Sequence, residues 1–139
     1  MDTKLRLSGN LARFNSTGAT EQRTAVHEAG HMVLAKQAGM KDVRGWVNYG
    51  ARRRAGTANW IGNLTPLQWL TVCAAGAAAE LAVFGSLSSD IAYSGDMRLA
   101  RRAGWNRETF YENVYDRAER LDVTEIMAQE ITTRHYSNL

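Results

Sequence analysis

The chain has 139 residues, with 17 lysines and arginines against 14 aspartates and glutamates, a formal charge of +3, and so fits one domain around one core. Its 45% hydrophobic and 22% charged residues exclude a disordered chain, and its lone Cys73 excludes an internal disulfide framework and fits a reducing, cytoplasmic setting. The longest apolar run, Leu70 to Gly85, is broken by Glu80, short of the roughly 18 residues of a membrane span.

Residues 1–19 read as an N-terminal arm. They carry charges but no continuous apolar stretch of the kind a secretory signal needs. A helix is expected from about Glu21 to Gln37, with Thr20 as N-cap and Gly39 as terminator. Its middle, Ala29 to Ala35, is apolar on nearly every side except at His31, which describes a central, buried helix. "VRGWVNYG" and "GTANWIG" read as two short strands joined by a loop carrying Arg52, Arg53 and Arg54. That loop is expected to be solvated. A nucleic-acid contact is the alternative, but no recognised module supports it, so no nucleic acid partner is expected.

"TPLQ" is the clearest start signal: Thr65 caps, Pro66 suits the first helical position, and Gln68 completes a capping box. The helix should run to Phe84 and stop at Gly85. Its centre, "CAAGAAAE", has little side-chain bulk, so it should lie close against the helix carrying His27. "SLSSDIAYSGD" is a polar loop, after which Ser94 is expected to cap a helix with Asp96 in its first turn. Residues 105–139 are read as C-terminal helices. One carries a stripe of Phe110, Tyr111, Val114, Tyr115, Ala118 and Leu121. The last opens on an Asp122–Glu125 capping box and includes Ile126, Met127 and Ile131. The expected architecture is mainly α with a small antiparallel β-hairpin.

The stretch "TAVHEAGHMVLA" places His27 and His31 four residues apart, with Glu28 between them. Positions four apart on a helix differ by about 40° in azimuth, so both imidazoles can reach one ion. Zinc takes imidazole nitrogen, and a catalytic site uses three protein ligands plus water. Glu28, about 100° round the helix, flanks the ion without ligating it and is placed to take a proton from the water. The bland alternative is a buried helix with satisfied polar groups. Three ionisable groups within one turn of an apolar helix are costly to bury unpaired, and a metal is the simplest partner for all three. The third ligand must lie downstream. His135 is read as a surface residue and Cys73 as a small buried one, which leaves Glu80 and Asp96.

Three ordered blocks, "TAVHEAGHMVLA", "GAAAELAVFG" and "YSGDMRLAR", resemble the peptidase domain of the FtsH-type ATP-dependent zinc metalloproteases. The second block matches that family's G-R-A-A-E-E-L-V-F-G at Gly76, Ala78, Ala79, Glu80, Val83, Phe84 and Gly85, and departs from it at Ala77 and Leu81. The resemblance implies a zincin-like helical metallopeptidase domain holding one Zn2+. It implies Asp96 as the third ligand beside His27 and His31, Glu28 as general base, and Glu80 near the site but off the metal, orienting a ligand histidine or the helix pair. It also implies that Thr57, Ala58, Asn59 and Trp60 form an edge strand holding an extended polypeptide substrate. No G-x-x-x-x-G-K-[ST] sequence occurs, and no membrane anchor is expected before the domain. The expected substrates are therefore unfolded or flexible chains, delivered by a separate ATPase or a dedicated protein partner where unfolding is needed. A catalytically inactive binding or adaptor module is the alternative.

Overall fold

The computed structural model describes residues 2–6, 19–49, 56–90 and 92–135. In chain order these form strand β1 (Asp2–Arg6), helix α1 (Ala19–Gln37), strands β2 (Lys41–Tyr49) and β3 (Gly56–Ile61), helices α2 (Pro66–Phe84), α3 (Ser94–Arg102), α4 (Arg107–Arg120) and α5 (Val123–Met127), and strand β4 (Glu130–His135). The molecule is mainly helical with a small sheet. The helix starts follow local chemistry. Thr65 accepts from the Gln68 amide while the Gln68 side chain accepts from the Thr65 amide, completing the expected capping box of α2. Gly85 closes that helix in a left-handed conformation at φ 74°, and Gly39 does the same beyond α1 at φ 86°. Asn106 caps α4 through the Thr109 amide.

Three start signals work differently from expectation. Helix α1 begins at Ala19, so Thr20 lies inside its first turn. Ser94 is the first residue of α3, following Tyr93, which makes no side-chain capping bond. Asp122 caps α5 through Thr124, and that helix ends after five residues instead of running through Ile131.

Ile131 belongs to β4, which pairs antiparallel with β1 and parallel with β2. The expected β2–β3 hairpin is present and antiparallel, but it is half of a four-stranded sheet ordered β1-β4-β2-β3. The arm therefore contributes an edge strand. Residues 7–18 and the Arg52–Arg54 loop lie outside the described residues.

Two apolar clusters flank α2. On one side Val72, Ala75 and Ala79 join α1 (Ala25, Val26, Ala29, Val33), Ile126 of α5 and Ile131 of β4. On the other, Cys73, Ala74, Ala77 and Ala78 meet Tyr93, Met97 and Ala100 with Phe110 and Val114 of α4. The small residues of α2 thus serve both sides, and Ala78 faces α3 and α4 rather than α1. The approach to α1 is closest at Gly30, where a Cβ would lie under 3.0 Å from the Ala75 carbonyl oxygen and the Ala79 methyl. Among the described helices, α2 alone is long and apolar enough to cross a bilayer. Here it is the central helix of the fold, buried from Val72 through Glu80.

Candidate metal centre

The helical phase of α1 turns His27 and His31 toward α2, and the first turn of α3 brings Asp96 to meet them. His27 Nε2 lies 2.8 Å from Asp96 Oδ2 and 3.0 Å from His31 Nε2, and His31 Nε2 lies 3.3 Å from the same carboxylate oxygen. These three residues are the one group among the described residues whose side chains converge as a metal site would require.

The outer nitrogens determine what the inner ones offer. His31 Nδ1 is 2.6 Å from the Val72 carbonyl oxygen, which can only accept, so Nδ1 carries the hydrogen. His27 Nδ1 lies 2.9 Å from Glu80 Oε2, whose carboxylate is held below its ordinary range: burial opposes ionisation, but the hydrogen bond and charge of His27 and the Ser88 hydroxyl outweigh it. With a hydrogen on each Nδ1, both imidazoles in their neutral form would present Nε2 lone pairs to each other and to a carboxylate oxygen. These three atoms lie within 3.3 Å of one another, an arrangement that a shared proton satisfies and that could equally hold a metal cation. Tetrahedral zinc, with bonds of about 2.0–2.1 Å, sets its donors roughly 3.3–3.4 Å apart. The donor set fits zinc after a relaxation of a few tenths of an ångström.

The electrostatics agree with a cation site. Burial works against charge on His27 and His31, yet Asp96 overrides it and raises both above their ordinary values. Burial also opposes ionisation of Asp96, but the two imidazoles hold its carboxyl far below the usual carboxylate range. Burial raises the Glu28 carboxyl; the histidines pull it back, while Asp96 and Glu80 push it further up.

Around the donors lies a supporting shell. Arg23, one turn before His27, contacts Glu80 Oε1 at 3.3 Å and the Ser86 carbonyl at 3.2 Å, with its guanidinium over the Phe84 ring. The Ser88 hydroxyl donates to Glu80 Oε1 at 2.7 Å, and the Ser88 amide donates to the Tyr93 hydroxyl. The buried Tyr93 ring stacks parallel to His27 at 5.7 Å. Gly76 leaves room for the imidazole, since a Cβ there would lie under 3.0 Å from three of its ring atoms. Arg23 could have been found from its i,i+4 spacing to His27. Ser88 and Tyr93 sat unmarked in a polar loop, and the seat at Gly76 depends on a helix crossing that one sequence does not reveal. No protein-family model, curated protein or solved structure matches this chain.

The donors open onto a cleft of about 990 Å³. One wall is β3 and the other is α3 with the loop before it. Glu28, 7% exposed, lies along this cleft with Gly56, Thr57, Ala58 and Trp60. Asn59 is not among its lining residues; it is exposed and pairs with Arg44. Trp69 and Leu99 add an apolar rim, with Trp60 and Trp69 edge to face at 6.2 Å. Cys73 lines the cleft as a buried thiol pushed up to about 12, by burial first and Asp96 second, which suits a small packing residue. Glu80 stands behind His27 and does not join the converging donors, and His135 is the last residue of β4.

Proposed function

We propose that the chain is a zinc-dependent metalloendopeptidase acting on unfolded or flexible polypeptides, allied to the FtsH-type peptidase domains its sequence resembles. The observation that carries this reading is the convergence of three potential ligand atoms from His27, His31 and Asp96 in a cleft also lined by the buried Glu28 and by strand β3. Bound there, zinc would supply Lewis acidity to a water molecule and to a peptide carbonyl. The protein's own groups do the rest. Glu28 takes a proton from the attacking water and passes it to the departing amine as the C–N bond breaks. Asp96, His27 and His31 would hold the metal, and Glu80 would fix the His27 tautomer. Among the described residues, strand β3 pairs only with β2, so its other edge offers backbone groups to hold an extended substrate segment. Chains needing forced unfolding would require a separate ATPase, and a cytoplasmic setting goes with the single free thiol.

The test is zinc stoichiometry after purification, paired with cleavage of casein. Wild type is expected to hold one zinc per chain and to cut. Glu28→Gln should keep the metal and lose roughly 10²-fold or more in rate, as the amide cannot accept the proton. Zinc without cleavage of any flexible substrate would replace this reading with a binding or adaptor module.

A further inference from the structure

Strand β3 begins on the carboxylate of Glu28. A Cβ built on Gly56 would lie under 3.0 Å from Glu28 Oε2, Cγ and Cδ, closer than real Cβ atoms come. Nothing in the backbone asks for glycine here. Gly56 is absent from the residues with positive φ, where Gly39, Gly62, Gly85 and Gly104 are found. Its backbone suits any L residue, and β3 would gain from a larger one, since glycine weakens a strand. What glycine supplies is space, and Glu28 fills it.

The neighbouring glycines sharpen the point. At Gly30 a Cβ meets the Ala75 backbone, and at Gly45 it meets Met32 and Ile131. Those positions serve packing. At Gly56 the three nearest atoms all belong to one side chain, a buried acid on the cleft wall.

We infer that Gly56 is a positioning residue for Glu28: its bare backbone forms the seat that keeps the carboxylate on the cleft wall beside the metal donors. The seat is a geometric property of β3 and α1; its effect on turnover rests on the peptidase reading. A methyl group at position 56 displaces the end of a flexible side chain, so it disturbs the base before it disturbs the fold. His27 and His31 of α1 contact α2, Asp96 lies on α3, and none of the three is among the atoms nearest a methyl at position 56.

The experiment is a double-mutant cycle on the full chain with excess zinc, combining Gly56→Ala with Glu28→Ala. In the Glu28 background, Gly56→Ala should lower the melting midpoint by about 3–5 °C. In the Glu28→Ala background it should lower it by less than half as much, because the obstructing carboxylate is gone. Zinc stoichiometry should be unchanged throughout. On casein, Gly56→Ala should reduce kcat by about 10- to 100-fold with little change in KM, the pattern of a displaced catalytic group. Equal melting shifts in both backgrounds would mean that the methyl meets something other than Glu28, and would overturn the proposal. Coupled melting with unchanged kcat would overturn the positioning role. Coupled melting in a wild type that cuts nothing would support Gly56 as the seat of Glu28 while removing the peptidase reading.

Discussion

Helix α1 divides its chemistry between two neighbours. Toward α2 it sends the metal donors His27 and His31, which meet a helix backbone through Gly76 and the Val72 carbonyl. Toward the sheet it sends Glu28, which meets the backbone of β3 at Gly56. The α2 side is rigid. At Gly30 its contacts are the Ala75 carbonyl and the Ala79 methyl, with no flexible side chain to yield. The sheet side is more adaptable, with Met32 against Gly45 and the carboxylate itself against Gly56. A metal site needs fixed donors, whereas a base must reach both a water and a leaving group. The division matches the two tasks.

The largest expected effect tests the rigid side directly. Asp96→Ala removes a charged donor and leaves two imidazoles, so zinc should be lost at chelator concentrations that the wild type survives. Glu80→Gln keeps a hydrogen-bond acceptor for His27 but removes the charge that fixes its tautomer, and should weaken zinc by about 10- to 100-fold. Competition with a chromogenic chelator measures both. Loss of metal in Glu80→Gln with retention in Asp96→Ala would exchange their roles.

A second comparison applies one substitution to each face. Gly30→Ala gains roughly 1 kcal/mol of helix propensity, yet its methyl must push back the Ala75 carbonyl of a neighbouring helix. The net result should be a loss of about 1–3 kcal/mol. Gly45→Ala meets Met32, whose flexible thioether can move aside, and should change stability by less than about 1 kcal/mol. Denaturant melts decide the matter. Equal costs would mean that the sheet face is as rigid as the α2 face.

The two faces also differ in how far the sequence reveals them. The α2 side is built from local signals. His27, Glu28 and His31 follow from helical phase, α2 starts at a capping box, and its run of alanines foretells a close crossing. Asp96 came from the family resemblance and lies among the converging donors. The sheet side depends on pairings distant in sequence. Trp46 lies opposite Thr132, and Lys4 opposite Thr132 from the other side. No turn residue joins such partners, so no local signal announces them. The Asp122 cap was legible, but α5 stops at Met127, and the β-branched "ITT" of Ile131 to Thr133 was the available sign of a strand. The cleft wall at Gly56 was invisible for the same reason: a glycine beginning a strand says nothing about which helix side chain lies against it.

The smallest expected effect asks whether the rigid side depends on the whole of α2 or only on its middle. Thr65 is exposed, and its hydroxyl accepts from the Gln68 amide at 3.2 Å. Thr65→Ala removes that bond and half of the capping box, which should cost about 1 kcal/mol. The groups serving the metal lie deeper in the helix. Val72 accepts from His31, Gly76 seats the His27 ring, and Glu80 receives its Nδ1 hydrogen. All three lie beyond the first turn, in the buried stretch from Val72 to Glu80. The first turn instead carries Trp69 toward the cleft rim. Thr65→Ala should therefore lower the melting midpoint slightly and leave zinc affinity unchanged, while fraying near Trp69 shows as a change in tryptophan fluorescence. A parallel fall in zinc affinity would show that the donors depend on the start of α2, and that the rigid side extends along the whole helix.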